Sequence, residues 1–178
     1  GKYHRPRGMI AHDFQTPLDT RLLWVYEGLD EYLGVVLAAR AGLLTTKTQS
    51  ALEGALQNGW MGIRNTLIEL SYQKGRRTIN LEDTAASSYL RRAESRFWSA
   101  LNRPQDYYFE GALLWCEIDC ILREKSEGKL SLDDFIQRFL GRYDPEWATM
   151  GYDENEIVAL LVELLPYDWQ GLIESRVS

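Results

Sequence analysis

The sequence feature that most restricts the fold is the apolar periodicity of residues 22–33. Large apolar side chains recur there at steps of three and four residues, at Leu22, Leu23, Tyr26, Leu29 and Leu33. This spacing places them along one stripe of an α-helix. We predict a helix from about residue 20 to residue 41, with Asp19 or Thr20 as its N-cap and Gly42 as its stop.

Much of the remaining chain repeats this helical pattern, interrupted by glycine and proline. Further helices are predicted at about residues 46–73, 81–101, 105–127, 131–140, 154–165 and 168–176. Three glycines, Gly54, Gly59 and Gly62, predict a bend or a break in the first of these. No alternating strand pattern of useful length is present. The sequence therefore predicts an all-α fold, a bundle of six or seven helices over residues 1–178, in which residues 1–17 form an extended arm.

Charge and hydropathy indicate which kinds of binding partner are not expected. The net charge of −6 argues against a nucleic-acid groove, which needs a basic footprint. No apolar segment reaches the roughly 20 residues that cross a bilayer, so we expect no membrane partner. Cys116 and Cys120 lie four apart on a predicted helix and are expected to be reduced thiols. The first residue is glycine rather than methionine, so we expect a piece cut from a longer protein. The sequence does not determine the cellular compartment.

One acidic side chain beside the apolar stripe, that of Glu27, is a candidate functional residue. Glu27 lies next to that stripe, and Glu31 follows four residues later on the same face. Burying an unpaired carboxylate costs about several kcal/mol. A buried carboxylate therefore needs a partner, or it becomes protonated. From the residues alone, Glu27 is a solvated or arginine-paired carboxylate, a metal ligand, or a catalytic acid or base.

Four sequence blocks occur in order at intervals that match a known family. They are Gly1–Pro6, Leu22–Gly28, Asp106–Leu113 and Leu130–Asp134. Together they resemble the catalytic domain of the glycyl aminopeptidase family. These are zinc metallopeptidases that contain a PDZ module and are related to thermolysin-like enzymes and aminopeptidase N. The resemblance covers nearly the whole chain and implies the C-terminal helical half of such a domain.

The resemblance also implies roles for two residues. In the family, two histidines of a His-Glu-x-x-His helix bind zinc, and the glutamate between them activates a water molecule. The third ligand is a glutamate in a Tyr-Glu-Gly block, which corresponds here to Glu27. A tyrosine in a later block donates to the oxyanion, and the matching residue is Tyr108. Read without the resemblance, Tyr108 is a core or rim tyrosine with a satisfied hydroxyl.

The sequence departs from the family pattern at two places. Its histidines, His4 and His12, are eight residues apart and do not form His-Glu-x-x-His. We therefore expect the motif to lie in an N-terminal half that is not part of this chain, and the chain alone to hold no zinc and to be inactive. Where the family has a lysine before the block's glycine, this chain has Glu110. The cut should also expose an apolar surface and allow self-association.

The function predicted from sequence is that of a zinc-dependent aminopeptidase. Its complete form would hydrolyse N-terminal residues from peptide substrates through a zinc-activated water, with Glu27 as metal ligand and Tyr108 as catalytic residue. The alternative is a helical binding or scaffold module that keeps the peptidase shape without catalysis. An intact or a lost His-Glu-x-x-His separates these two hypotheses.

Overall fold

The computed structural model describes residues 3–44, 51–91, 103, 105–141 and 149–178, and within them it confirms the all-α prediction. The helices are α1 Leu23–Arg40, α2 Ala51–Tyr72, α3 Leu81–Ala86, α4 Ser88–Arg91, α5 Asp106–Lys125, α6 Leu132–Leu140, α7 Glu154–Leu164 and α8 Trp169–Val177. Two three-residue strands, β1 His4–Pro6 and β2 Met150–Tyr152, complete the regular structure of these residues. None of the described helices is both long and apolar enough to cross a membrane.

The two ends of α1 show which local signals decide a helix boundary. The predicted caps are wrong, because the N-cap position is Leu22 and no side chain caps it. Asp19 instead accepts hydrogen bonds from Arg21, and the Thr20 hydroxyl donates to the Ala85 carbonyl. The predicted stop is correct. Gly42 has a φ of 72°, and the amides of Gly42 and Leu43 donate to Ala39 and Ala38 as in a Schellman motif.

The second helix differs from its prediction in one respect. Over residues 51–72 it runs without a break, although three glycines lie in or near its first half. Burial of Ala55, Gly59 and Leu70 holds the helix against its neighbours, and tertiary packing of this kind overrides weak propensity. The predicted start at Thr45 or Thr46, and the predicted helix over residues 92–101, lie outside the described residues.

The N-terminal arm forms a strand that the sequence pattern did not predict. β1 pairs in parallel with β2, with His4 opposite Met150 and Pro6 opposite Tyr152. A 3₁₀ turn, Arg7–Met9, follows β1. Three residues are too few to show an alternating pattern, and the partner strand is distant in sequence, so periodicity carries no signal for this pairing.

The core is built around the packing of α1 against α5. Trp24 on α1 and Trp115 on α5 are both fully buried, with ring centroids 6.0 Å apart. Phe135 on α6 continues the cluster at 5.2 Å from Trp115. Helices α3, α7 and α8 and strand β2 add buried apolar side chains to the same cluster. The helix pair α1–α5 therefore forms the rigid frame on which the candidate site residues lie.

Candidate active site

The two predicted site residues lie on helices that touch backbone to backbone. A Cβ atom built on Gly28 of α1 would lie 2.6 Å from both Cα and C of Gly111 on α5. One built on Gly111 would lie 2.6 Å from the Trp24 carbonyl oxygen and 2.9 Å from Cα of Gly28. Only glycine permits so close an approach at both positions. The crossing brings together the segment that carries Glu27 and the segment that carries Tyr108.

Contacts along the pair show that the helices run in the same direction. Gly28 meets Gly111, and four residues further along α1 the Tyr32 hydroxyl donates to Asp119, which lies eight residues further along α5. The contacts therefore advance along both helices together. Tyr108 lies one helical turn before Gly111, and Glu27 immediately precedes Gly28. Both site residues thus lie within about a turn of the glycine crossing.

Glu27 is half-buried and belongs to a group of acidic and phenolic side chains around Tyr152. Burial is the main cause that raises the pKa of Tyr152, and the nearby groups Tyr26, Asp30 and Glu27 raise it further. Tyr152 is buried on β2, with its ring 5.0 Å from that of Phe139. Glu27 therefore lies close enough to Tyr152 of β2 to act on it electrostatically.

Tyr108 is the more accessible of two adjacent tyrosines at the start of α5. It is half-buried, whereas Tyr107 is only 2% exposed. The two rings are 5.0 Å apart. The Tyr107 hydroxyl lies 3.5 Å from the Gln105 side-chain amide, at the limit of a hydrogen bond. Exposure therefore favours Tyr108 over Tyr107 as the phenol that could meet a substrate.

Glu110, which stands where the family pattern has a lysine, has well-defined ion-pair partners in the structure. It is buried on α5 and forms ion pairs with Arg103 and Arg76. Arg103, itself 2% exposed, also donates to Asp106 at 3.0 Å and to the Ile79 carbonyl. Burial raises the pKa of Glu110, while the two guanidinium groups act in the opposite direction. This is a buried structural network, and a lysine at position 110 would oppose its two arginines.

A second buried carboxylate was not predicted as important from the sequence. Asp119 accepts from the Tyr32 hydroxyl at 2.9 Å, from the Leu132 amide at 2.7 Å and from Arg123 Nε at 3.1 Å. Burial is the main cause that raises the pKa of Tyr32, with Asp119 next. These bonds join α1, α5 and the first turn of α6. The sequence shows Asp119 and Arg123 four residues apart on α5, but it carries no signal for the bonds from Tyr32 and Leu132, which come from other elements.

The described residues do not form a metal site by themselves. Among them, no group of three or more histidine, cysteine, aspartate or glutamate side chains could hold a metal ion. Catalytic zinc usually takes three protein ligands, so these residues do not form a complete site. Glu27, half-buried on a rigid helix beside other acidic groups, suits the role of a single carboxylate ligand within a larger set.

Comparison with models of protein families identifies a match. The family model described as M61 glycyl aminopeptidase matches residues 1–114, which include both Glu27 and Tyr108. A search of curated proteins finds no match.

Proposed function

The chain belongs to the M61 glycyl aminopeptidase family, and we propose that it contributes Glu27 and Tyr108 to the active centre of a zinc-dependent aminopeptidase. One observation carries this proposal. The matched segment contains α1 and the start of α5, which cross at Gly28 and Gly111, and each helix carries one of the proposed residues within about a turn of that crossing. The family supports peptidase chemistry, and the crossing supports a common site.

Glu27 is proposed as a zinc ligand. A carboxylate on a rigid helix, partly withdrawn from water, can present an oxygen atom to a cation without a large loss of side-chain entropy. The remaining ligands would be the two imidazoles of a His-Glu-x-x-His helix, which His4 and His12, eight residues apart, do not form. Zinc in such a site supplies a Lewis acid that polarises the scissile carbonyl and activates water. We expect the 178 residues alone to bind no zinc tightly, and calorimetry showing submicromolar binding would contradict this.

Tyr108 is proposed as the hydrogen-bond donor to the oxyanion. The carbonyl oxygen of a peptide gains negative charge as the tetrahedral intermediate forms, and a phenol already held in place can donate to it. Removing one such donor typically costs about 100-fold to 1,000-fold in kcat. The neighbouring Tyr107 is buried, so it provides a matched control of the same residue type at the adjacent position.

The test is a kinetic comparison in the complete protein, with an aminoacyl p-nitroanilide as substrate. Tyr108→Phe should lower kcat by about 100-fold and change KM much less, because the donor acts mainly on the oxyanion. Tyr107→Phe should leave both parameters within about threefold, since the hydrogen bond between its hydroxyl and Gln105 is marginal at 3.5 Å. An unchanged kcat for Tyr108→Phe removes this residue from the mechanism. A complete protein with no detectable hydrolysis supports the scaffold alternative.

A further inference from the structure

A pocket lies between α1, α2 and α5, apart from the segment that carries Glu27 and Tyr108. Its volume is about 280 Å³. Most of its wall is apolar and is formed by Val35, Val36, Ala39, Leu56, Trp60 and Ile63. Ligand sites in proteins are typically apolar cavities of about 300–1,000 Å³ with a few convergent polar groups. This pocket is slightly smaller than the lower limit of that range.

Two arginines and the buried carboxylate Asp119 form the charged part of the lining. Arg40 lies in the last turn of α1 and Arg123 in the last turn of α5. Because α1 and α5 run in the same direction, these last turns lie at the same end of the helix pair. Both side chains are partly exposed, at 41% and 45%. The pocket therefore has an apolar wall with two guanidinium groups toward one end.

Both guanidinium groups keep donors that no described residue uses. Arg40 donates through Nη1 to the two oxygens of Asp133, and its remaining N–H groups have no partner among the described residues. Arg123 donates through Nε to Asp119, and its Nη groups likewise meet no acceptor within the described part of the chain. Asp119 is buried and also accepts hydrogen bonds from Tyr32 and Leu132, so its carboxylate oxygens are already used in bonds within the protein.

We propose that this pocket binds a small amphiphilic anion, an unbranched aliphatic carboxylate. The hydrocarbon chain would lie against the apolar wall, and the carboxylate would accept hydrogen bonds from Arg40 and Arg123. Guanidinium groups are well suited to carboxylates because their planar fork matches the two oxygens. The small volume favours one chain of medium length over a bulky or fused-ring ligand. This inference does not depend on the proposed peptidase function.

The proposal predicts how affinity varies with chain length and charge. Each buried methylene adds about 0.8 kcal/mol, which corresponds to about fourfold in affinity. Hexanoate, octanoate and decanoate should therefore bind with increasing affinity, by up to about fourfold per methylene. Decanol, which has the chain without the charge, should bind at least about tenfold more weakly than decanoate. Decylamine should bind more weakly still, because its ammonium group would face the arginines.

Cys120 provides a site-specific readout, since it is exposed and lines the same pocket. Its alkylation by the neutral reagent iodoacetamide can be followed by mass spectrometry of the peptide that contains it. At saturating decanoate, we expect alkylation of Cys120 to slow by at least about fivefold, because the bound chain shields the thiol. The concentration that gives half protection measures the affinity for each probe in the complete protein.

Substitutions of the two arginines test the proposed head-group contact. Arg40→Met and Arg123→Met should each raise the decanoate concentration for half protection by at least about tenfold, while leaving that for decanol nearly unchanged. Arg138→Met is the matched control, because Arg138 is similarly exposed, pairs with Glu163 at 3.0 Å and does not line the pocket. It should leave the decanoate result unchanged.

Three results would overturn the proposal. They are no protection of Cys120 by decanoate at 1 mM (about the weakest affinity of interest), equal protection by decanoate and decylamine, and unchanged decanoate affinity in both arginine variants. The last two indicate non-specific adsorption to an apolar surface. If Arg123→Met does not fold, Arg40→Met carries the test, because its partner Asp133 is about half exposed and tolerates the loss of the pair.

Discussion

The glycine contact between α1 and α5 gives the sharpest prediction about stability. Replacing Gly28 with alanine places a Cβ atom 2.6 Å from two backbone atoms of Gly111, whereas ordinary contacts begin at 3.4 Å. Backbone atoms cannot rotate away, so the helices must separate locally by roughly 0.8 Å, the difference between these two distances. Overpacking of this kind costs about 1–3 kcal/mol, and separation also weakens contacts along the whole pair.

Helix propensity acts in the opposite direction and can be measured on the same helix. Alanine is favoured over glycine in a helix interior by about 1 kcal/mol. Gly34 also lies in α1, but a Cβ atom built there meets nothing within 4 Å. Gly34→Ala should therefore stabilise the fold by up to about 1 kcal/mol. Gly28→Ala should destabilise it by about 2 kcal/mol, since the upper end of the overpacking cost exceeds the propensity gain.

The assay is urea unfolding of the two variants and the parent chain, followed by far-ultraviolet circular dichroism. The free energy of unfolding is compared at constant m, so that a change in midpoint reports stability alone. Thermal midpoints should differ between the variants by roughly 6–12 °C, from about 2–4 °C per kcal/mol for a chain of this length. Equal stability of Gly28→Ala and Gly34→Ala would refute the account of a backbone contact.

Two further predictions concern buried polar groups. Arg103→Met should destabilise the fold by about 3 kcal/mol in urea unfolding, because it leaves Asp106 and Glu110 without their buried partner. Arg138→Met, the control, breaks an exposed ion pair and should cost less than about 1 kcal/mol. Similar losses in the two variants would contradict the proposed importance of the buried network. At pH 8, iodoacetamide should alkylate Cys120 at least about ten times faster than Cys116, because burial raises the pKa of the Cys116 thiol from 9.0 to about 12 and so removes its reactive thiolate. The Cys116 rate should climb only as the pH rises toward 12, and equal rates at pH 8 would contradict the assignment.

Local sequence signals were sufficient for most of the fold. A capping box of Ser131 and Asp134 starts α6 at the residue where that helix was predicted to begin, and Gly42 follows the end of α1 as predicted. These signals act within a few residues, so a single sequence shows them. The start of α1 was missed because Asp19, a good cap by type, is held by Arg21 instead.

Long-range features could not be predicted in the same way. The pairing of β1 with β2, the ion pair of Glu110 with Arg76 and the bond from Tyr32 to Asp119 each join residues from distant parts of the chain. Periodicity and capping contain no information on such partners. The candidate site likewise has features that the sequence predicts and features that it does not. Its residue types and order were predicted through the family resemblance, while the glycine crossing that brings their helices together appears only in three dimensions.

The measurement that tests the central claim most directly is the zinc content of the complete protein and its Glu27→Gln variant, after dialysis against a weak chelator. Glutamine keeps the size of the side chain but removes the anionic oxygen ligand. The account predicts about one zinc per chain in the parent protein and at least a tenfold loss of affinity in Glu27→Gln, with no change in Glu124→Gln, an exposed glutamate on α5. Retention of stoichiometric zinc and of activity by Glu27→Gln would show that this carboxylate does not hold the metal.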